Sequence, residues 1–345
     1  MGRAEEIYRE LRRRLENGVY APGARFPSES TLADEFSVNK MTMNKVVSML
    51  AEQRYLVRGV RGAGTHVADL QLRFRGMIAF MAPLNPYTIR ILSGVYAEAL
   101  RCNFSVLAES PLIADLQLRM MMLKSSGSCG IISASYGVPV QPEGMIQFCV
   151  DSSPMPSDPA RPVYFINSDN YLGGVQMMDE IIRRGHREIL IFSSERDLSR
   201  SNAPKSPRIR GFHQAMAEHG IADFEERTFC GAAGSVPDAR RFLKSSLGKY
   251  PAATLIAADS DGSAELVHSA ALELGIDCPG RIALTGFGDV TQLPIASVNQ
   301  NPERQGELAA RYLIDCALNG SCSASACELV ETNLTGVEHI PIKLS

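Results

Sequence analysis

The chain has 345 residues, beyond the size at which a single hydrophobic core keeps growing, so two or three domains are expected. With 45% apolar and 21% charged residues it reads as an ordinary soluble globular protein, and no stretch approaches the roughly 20 apolar residues that a bilayer requires. The formal charge of −3 conceals an asymmetry: residues 1–75 carry 13 Lys and Arg against 9 Asp and Glu, whereas the remainder is acidic, so a polyanion would be met at the amino-terminal end.

The opening MGRAEEIYRELRRRLENG is charged and helical rather than a secretion signal, so a cytoplasmic location without membrane attachment is expected. Ile7, Leu11 and Leu15 recur every four residues, which predicts an amphipathic helix stopped at Gly18 and followed by a Pro22-Gly23 turn. Ser28 is placed to cap a second short helix whose Leu32, Ala33 and Phe36 face inward. Asn39 can cap a third, with Val38 packing on Met43 as a hydrophobic staple, and Met43, Val46, Val47 and Leu50 form its buried face.

Lys40, Met41, Thr42, Asn44 and Lys45 lie at the start of that third helix or away from its buried face. Such a helix fits the major groove of B-DNA: Asn44 can pair with adenine, Lys40 or Lys45 with guanine or phosphate, and Thr42 suits a phosphate or a thymine methyl. Two short strands, 55–57 and 65–67, then bracket VRGVRGAG and predict a β-wing. Arg58 and Arg61 would bring charge to the backbone or minor groove, with Gly62 and Gly64 supplying the backbone freedom of the tip. On these residues alone, a three-helix adaptor whose third helix merely faces water stays open as an alternative.

Residues 15–67 resemble the winged helix-turn-helix of the GntR family of bacterial regulators. The matching features are the Pro22-Gly23 turn, PSE (27–29) leading into LA (32–33), and the GAGT wing tip (62–65). The resemblance implies DNA contacts from Arg25, Ser28, Glu29, Asn39, Lys40, Met41, Thr42, Asn44, Lys45, Arg58, Arg61, Gly62 and Gly64. The commonest start of the family's recognition helix is Ser-Arg-x-Thr-Val-Arg, where this chain has Asn39-Lys40-Met41-Thr42-Met43-Asn44. Lys lacks the rigid fork of Arg, so altered operator bases are expected.

Residues 70–76 are expected to link a domain spanning 1–69 to one spanning 77–345. In the larger part, strands are predicted at 78–82, 104–108, 130–133, 163–166, 189–192, 254–257 and 282–285. Helices are predicted at 88–101, 113–125, 171–184, 208–219, 236–247, 262–274 and 303–318. Apolar strands alternating with helices imply parallel sheets covered on both faces. Segments 77–160 and 163–290 are expected to form two α/β lobes with a ligand cleft at the strands' carboxyl ends. Asn85 and Tyr87, Asp169, the Ser260-Asp261 pair and Asp289 sit there; Asp169 and Asp261 equally suit helix caps, and Tyr87 ordinary packing. Loops 152–162 and 194–207 read as surface segments, the second a candidate cleft-closing loop before Arg208.

This larger part resembles the effector domain of the LacI/GalR family, itself similar to periplasmic sugar-binding proteins. The resemblance rests on NSDNYLGG (167–174), RIRGF (208–212), DSDGS (259–263), TGFGD (285–289) and SVNQNPERQGE (297–307). The whole is an α/β architecture: a two-lobed periplasmic-binding-protein-like effector domain behind a small winged helix-turn-helix. It is similar to arabinose-responsive repressors, which join the same two parts. The resemblance implies an effector clamp at Arg208, a mainly structural Asp169 beside the cleft, a ligand-facing Tyr87, and contacts from Asn85, Ser260, Asp261 and Asp289. Gly288 stands where the family carries a sugar-bridging Asp, which leaves an altered sugar, a sugar phosphate or another metabolite as the effector.

The eight cysteines show no CxxC or His/Cys ligand spacing, and the six histidines form no HExxH, so buried thiols and a structural His186 are expected. No phosphate-binding loop or dinucleotide fingerprint is present, and neither an enzymatic activity nor a cofactor is expected. The expected partners are an operator in double-stranded DNA, a sugar or sugar-like effector, and a second copy of the chain in a homodimer. A pure ligand-binding protein, or a DNA-binding protein with a degenerate sensor, are the alternatives.

Overall fold

The computed structural model describes residues 3–59, 64–69, 75–135, 145–152, 163–194, 206–230, 234–320 and 327–343. The predicted wing residues Arg61 and Gly62, most of the linker, and the greater part of both surface loops lie outside the described residues. By its contacts the chain divides into a unit formed mainly by residues 1–76 and a second that takes in nearly all the rest.

In the first unit α1 (Arg3–Glu16), α2 (Glu29–Glu35) and α3 (Lys40–Glu52) precede β1 (Leu56–Arg58) and β2 (Thr65–Val67). Both predicted caps form: Ser28 accepts the Thr31 amide and Asn39 the Thr42 amide, satisfying donors that a helix start otherwise leaves unpaired. Ile7, Leu11, Leu15, Leu32, Met43, Val46 and Leu50 are 0–2% exposed and form one core with Phe26, Tyr55 and Val67. The strands pair antiparallel with Val57 opposite His66, the two-stranded wing that the glycine-rich tip predicted.

The second unit runs β3 (Gly76–Met81), α4 (Pro86–Arg101), β4 (Phe104–Glu109), α5 (Leu116–Ser125), β5 (Ser128–Ala134), β6 (Ile146–Val150) and β7 (Val163–Ser168). It continues with α6 (Asn170–Arg183), β8 (Ile189–Ser193), α7 (Pro207–Glu218), β9 (Thr228–Cys230), α8 (Val236–Lys249), β10 (Leu255–Ala258) and α9 (Asp261–Leu274). The last elements are β11 (Ala283–Thr285), β12 (Ser297–Asn299), α10 (Pro302–Asn319), β13 (Cys327–Val330) and β14 (Asn333–Thr335). All seven predicted helices are present within a few residues of their expected ends.

Two parallel sheets result, one ordered β13-β7-β6-β5-β3-β4 and the other β11-β10-β8-β9. The expected division of the lobes at residue 160 is therefore corrected. Strand β7 pairs with β6, and the first sheet also recruits β13 from near the carboxyl end. The second lobe starts only at α6, whose Met177, Met178 and Ile181 pack on β8 and α7. After β12 the chain returns so that α10 covers β5 and β6 of the first lobe. Contiguity along the chain misled the expectation, because β13 is exposed on alternate residues and carries no apolar run.

The crossings between lobes lie side by side. The Asp169 amide donates to Val330 O at 2.9 Å, and Ser168 Oγ to Gln300 O at 3.3 Å. Within each lobe one helix pair is brought backbone to backbone by glycines. A Cβ on Gly94 of α4 would lie 1.9 Å from Glu303 O, and one on Gly306 of α10 would lie 2.0 Å from Ile91 O. In the second lobe, a Cβ on Gly174 of α6 would meet Arg208 O at 2.5 Å, and one on Gly211 of α7 would meet Tyr171 O at 2.3 Å. His186 plays the structural part expected of it: fully buried, it bonds Thr254 Oγ1 and Pro341 O at 2.9 Å each, and burial holds its pKa below the ordinary value.

Candidate nucleic-acid interface and effector pocket

The first two turns of α3 present Lys40, Met41, Asn44 and Lys45 to solvent, with Met41 84% exposed, because the opposite face is consumed by the core. Thr42 is half-buried beside Asn39, whose side-chain oxygen accepts its amide as the helix cap. The start of α3, the start of α2 and the wing enclose a groove of about 560 Å³ lined in part by Arg25, Ser28, Glu29, Lys40 and Gly64. Gly64 has φ +80°, and a Cβ there would sit 3.1 Å from Arg25 Nε, so the guanidinium lies against the wing backbone. Glu29 accepts a hydrogen bond from Asn44 Nδ2 at 2.9 Å and lies 3.9 Å from Arg58, which also donates to Ser48 Oγ at 2.8 Å. Glu29 thus holds Asn44 at a fixed orientation on the exposed face.

Charge pairing separates this surface from α1. The α1 arginines are neutralised along their own helix, Arg12 by Glu16 at 2.9 Å and Arg13 and Arg14 by Glu10 at 3.0 and 2.9 Å, and Arg14 also pairs with Glu35 of α2. These bonds hold the Glu10 carboxyl at about 2, well below the ordinary carboxylate range. Arg25, Lys40 and Lys45 have no carboxylate partner among the described residues. The modest positive excess of the unit is therefore concentrated where α3 and the wing meet solvent.

In the larger unit a cavity of about 480 Å³ opens where β6, β7 and β13 end and where α6 and α7 begin. Arg208, on the first turn of α7, lines it. Its Nε donates to Asn170 Oδ1 at 3.2 Å, its Nη1 to Asp259 O at 2.9 Å, and its guanidinium lies 4.3 Å from the centre of the Phe287 ring. Behind it runs an amide chain. Gln300 Nε2 donates to Asn170 Oδ1 at 2.9 Å, and Gln305 Nε2 lies 3.0 Å from both Ser168 Oγ and Tyr87 Oη. Burial, together with the nearby Asp151 charge, pushes the Tyr87 hydroxyl far above the ordinary tyrosine range, so it stays a neutral hydrogen-bonding group. Gln305 Oε1 is buried with no protein partner among the described residues.

The predicted effector residues separate into groups. Arg208 and Asp169 line the cavity, Asp169 also capping α6 through the Leu172 amide at 2.9 Å. Tyr87 stands behind it through Gln305 and Ser168. Asn85 caps α4 through the Thr88 amide at 3.0 Å, and Ser260 caps α9 through the Ser263 amide at 3.0 Å. Asp261 is 1% exposed, and its carboxylate accepts the Val290 and Thr291 amides and Ser297 Oγ, which places it under the loop after β11 rather than in the cavity wall. Asp289, at φ +56°, accepts from Thr335 Oγ1 at 2.8 Å and lies 3.6 Å from Arg90.

Asp151 was not foreseen. It follows β6 at φ +49°, lines the cavity, and accepts from Ser135 Oγ at 3.2 Å. The mostly apolar segment 146–150 that precedes it could have been found from sequence, since a polar residue closing such a segment lies at the carboxyl end of a parallel strand. Gln300 and Gln305 were also missed; a polar residue in the buried stripe of α10, beside Leu308 and Ala309, was the available signal.

Among the described residues no cluster of His, Cys, Asp and Glu could hold a metal ion, and no helix is long and apolar enough to cross a membrane. Residues 3–67 match the family described as "Bacterial regulatory proteins, gntR family", and residues 178–335 match the "Periplasmic binding protein-like domain". The chain is similar to the HTH-type transcriptional regulator CelR of Thermobifida fusca, with 26% identity over 51% of this chain and 52% of that one, so it spans only about half of that relative's length. It is 21% identical to the arabinose metabolism transcriptional repressor of Geobacillus stearothermophilus over 90% of this chain and 89% of that protein. A crystal structure of a putative ribose operon repressor from Burkholderia thailandensis superposes with a TM-score of 0.61 at 20% identity, covering 75% of this chain and 98% of that one. Residues 3–67 are thus similar to gntR-family regulators and residues 178–335 to the periplasmic binding protein-like domain, and the larger unit shares the fold of the solved structure.

Proposed function

We propose that this fusion of a GntR-type reader with a periplasmic-binding-type sensor is a sequence-specific transcriptional repressor of carbohydrate-metabolism genes, released from its operator by a sugar or sugar derivative. The observation that carries this reading is the set of cations without a carboxylate partner among the described residues, Arg25, Lys40 and Lys45, on the exposed start of α3 and beside the wing, in one chain with a polar ligand cavity at Arg208. A helix of that kind places its leading side chains in the major groove while the wing reaches the flanking backbone. Names of similar proteins, which refer to arabinose metabolism and a ribose operon, support a carbohydrate pathway.

The reader is assigned to residues 1–69, a linker to 70–76 and the sensor to 77–345. The working form is a homodimer whose sensors space two readers by about one duplex turn, 34–36 Å. A ligand that binds one arrangement of the lobes about a hundredfold more tightly than the other supplies about 2.8 kcal/mol to shift that spacing.

Lys40→Ala tests the reading. With the chain's own upstream DNA as probe, the substitution is expected to weaken binding roughly tenfold and lower the salt slope by about two units, the loss of one phosphate contact from each of the dimer's two readers. Lys244→Ala, an exposed residue of α8, removes the same charge and is expected to bind as the parent does. Equal behaviour of the two variants in fluorescence anisotropy would count against α3 as the reading helix.

A further inference from the structure

The walls of the effector cavity differ in charge, and the difference specifies a ligand class. Resting on the reading above, we propose that the effector is an anionic polyol, a sugar acid or sugar phosphate, whose anionic group sits at the start of α7 between Arg208 and Arg210 and whose hydroxyls face Asp151.

Three observations meet at the start of α7. The described partners of the Arg208 guanidinium are all neutral: an amide oxygen, a backbone carbonyl and an aromatic ring. An arginine with its fork held by neutral groups in a cavity retains its full attraction for a ligand anion, and hydrogen bonds to such an anion are about twice as strong as neutral ones. Arg210 lines the same cavity from the same turn and, among the described residues, has only the Tyr171 ring at 5.9 Å beside it. Helix α7, 12 residues long, begins at the cavity with Pro207 and receives no side-chain cap from Ser206, which leaves the Arg208 and Ile209 amides uncapped by that residue, whereas α6 is capped by Asp169.

The acidic groups that would neutralise this wall are committed elsewhere. Gly288 carries no carboxylate, the Asp289 carboxylate is turned to Thr335 and Arg90, and Asp261 is enclosed by Val290, Thr291 and Ser297. Two acids still line the cavity: Asp169, whose carboxylate accepts the Leu172 amide at the start of α6, and Asp151, on another wall beside Ser152 and Asn167, whose carboxylate can accept from hydroxyls. A cavity of about 480 Å³ has room for a monosaccharide acid together with bridging water.

The test is calorimetric titration of the full-length protein with matched pairs: D-galacturonate against D-galactose, D-gluconate against D-glucose, and D-glucose 6-phosphate against D-glucose. At least one acid is expected to bind about tenfold or more tightly than its neutral partner, a preference of about 1.4 kcal/mol, and the carboxylate and phosphate arms identify which anion is read. Arg210→Gln, at an exposed position that folding does not depend on, is expected to reduce that preference several-fold, and Arg208→Gln to abolish it. Neutral sugars that bind as well as every acid and still release operator DNA would overturn the anionic assignment and leave the regulator intact. Absence of binding by every acid and every neutral sugar, in a protein that nevertheless prefers its own upstream DNA, would overturn it as well.

Discussion

Gly211→Ala is expected to lower the thermal midpoint by roughly 6–12 °C, the equivalent of about 3 kcal/mol in a unit of this size. A Cβ at that position would lie 2.3 Å from Tyr171 O and 2.8 Å from Val175 N. Both are backbone atoms of α6, so no side chain can swing aside and the helices must separate. The separation moves Arg208, one turn earlier on α7, away from Asn170 at the start of α6, and ligand affinity is expected to fall with stability. Gly248→Ala is the control: it lies in α8 with nothing within 4 Å of an added Cβ, and there alanine is expected to be neutral or to stabilise by about 0.5–1 kcal/mol. Matching melting curves for Gly211→Ala and the parent would mean that α6 and α7 do not pack in this way.

Removing the Asp261 carboxylate has a comparable effect for a different reason. Asp261→Ala takes away the acceptor for the Val290 amide at 2.6 Å, the Thr291 amide at 3.2 Å and Ser297 Oγ at 2.6 Å, at a residue 1% exposed. Three donors lose charge-assisted partners inside the fold, and unmet buried donors cost about 1–3 kcal/mol each before relaxation, so a loss of about 3 kcal/mol after relaxation is expected in urea unfolding. The loop 286–291 carries Phe287, the ring beneath Arg208, so ligand affinity is expected to drop by about tenfold as that support loosens. Asp261→Asn restores an acceptor but turns an NH₂ toward donors, and is expected to recover only part of the stability. An Asp261→Ala protein with parental stability would show that the loop is held by other contacts.

The reader was legible to the level of single caps. Ser28, Asn39 and the Met43–Leu50 stripe are local signals, and the local geometry follows them. Helices of the sensor were equally legible, since each carries an apolar period against a polar face. What sequence did not disclose is mainly non-local. The assignment of β7 to the first sheet depends on a crossing at Ser168 and on β13 arriving more than 150 residues later. Asp261 and Asp289 looked like ligand groups because they follow strands, yet their carboxylates are taken by partners from β12 and β14. Gln305 was hidden for the opposite reason: a polar side chain in a buried stripe reads as noise until Tyr87 and Ser168 are seen around it.

The central claim is that α3 reads a DNA sequence on behalf of the ligand cavity. It is tested most directly by the affinity of the full-length protein for its own upstream region and for a shuffled duplex, at moderate salt, with and without the best-binding sugar or sugar acid. The account predicts about a thousandfold preference or more for the upstream region, reduced by the ligand. Equal affinity for both duplexes, unchanged by any ligand that binds the cavity, would contradict it.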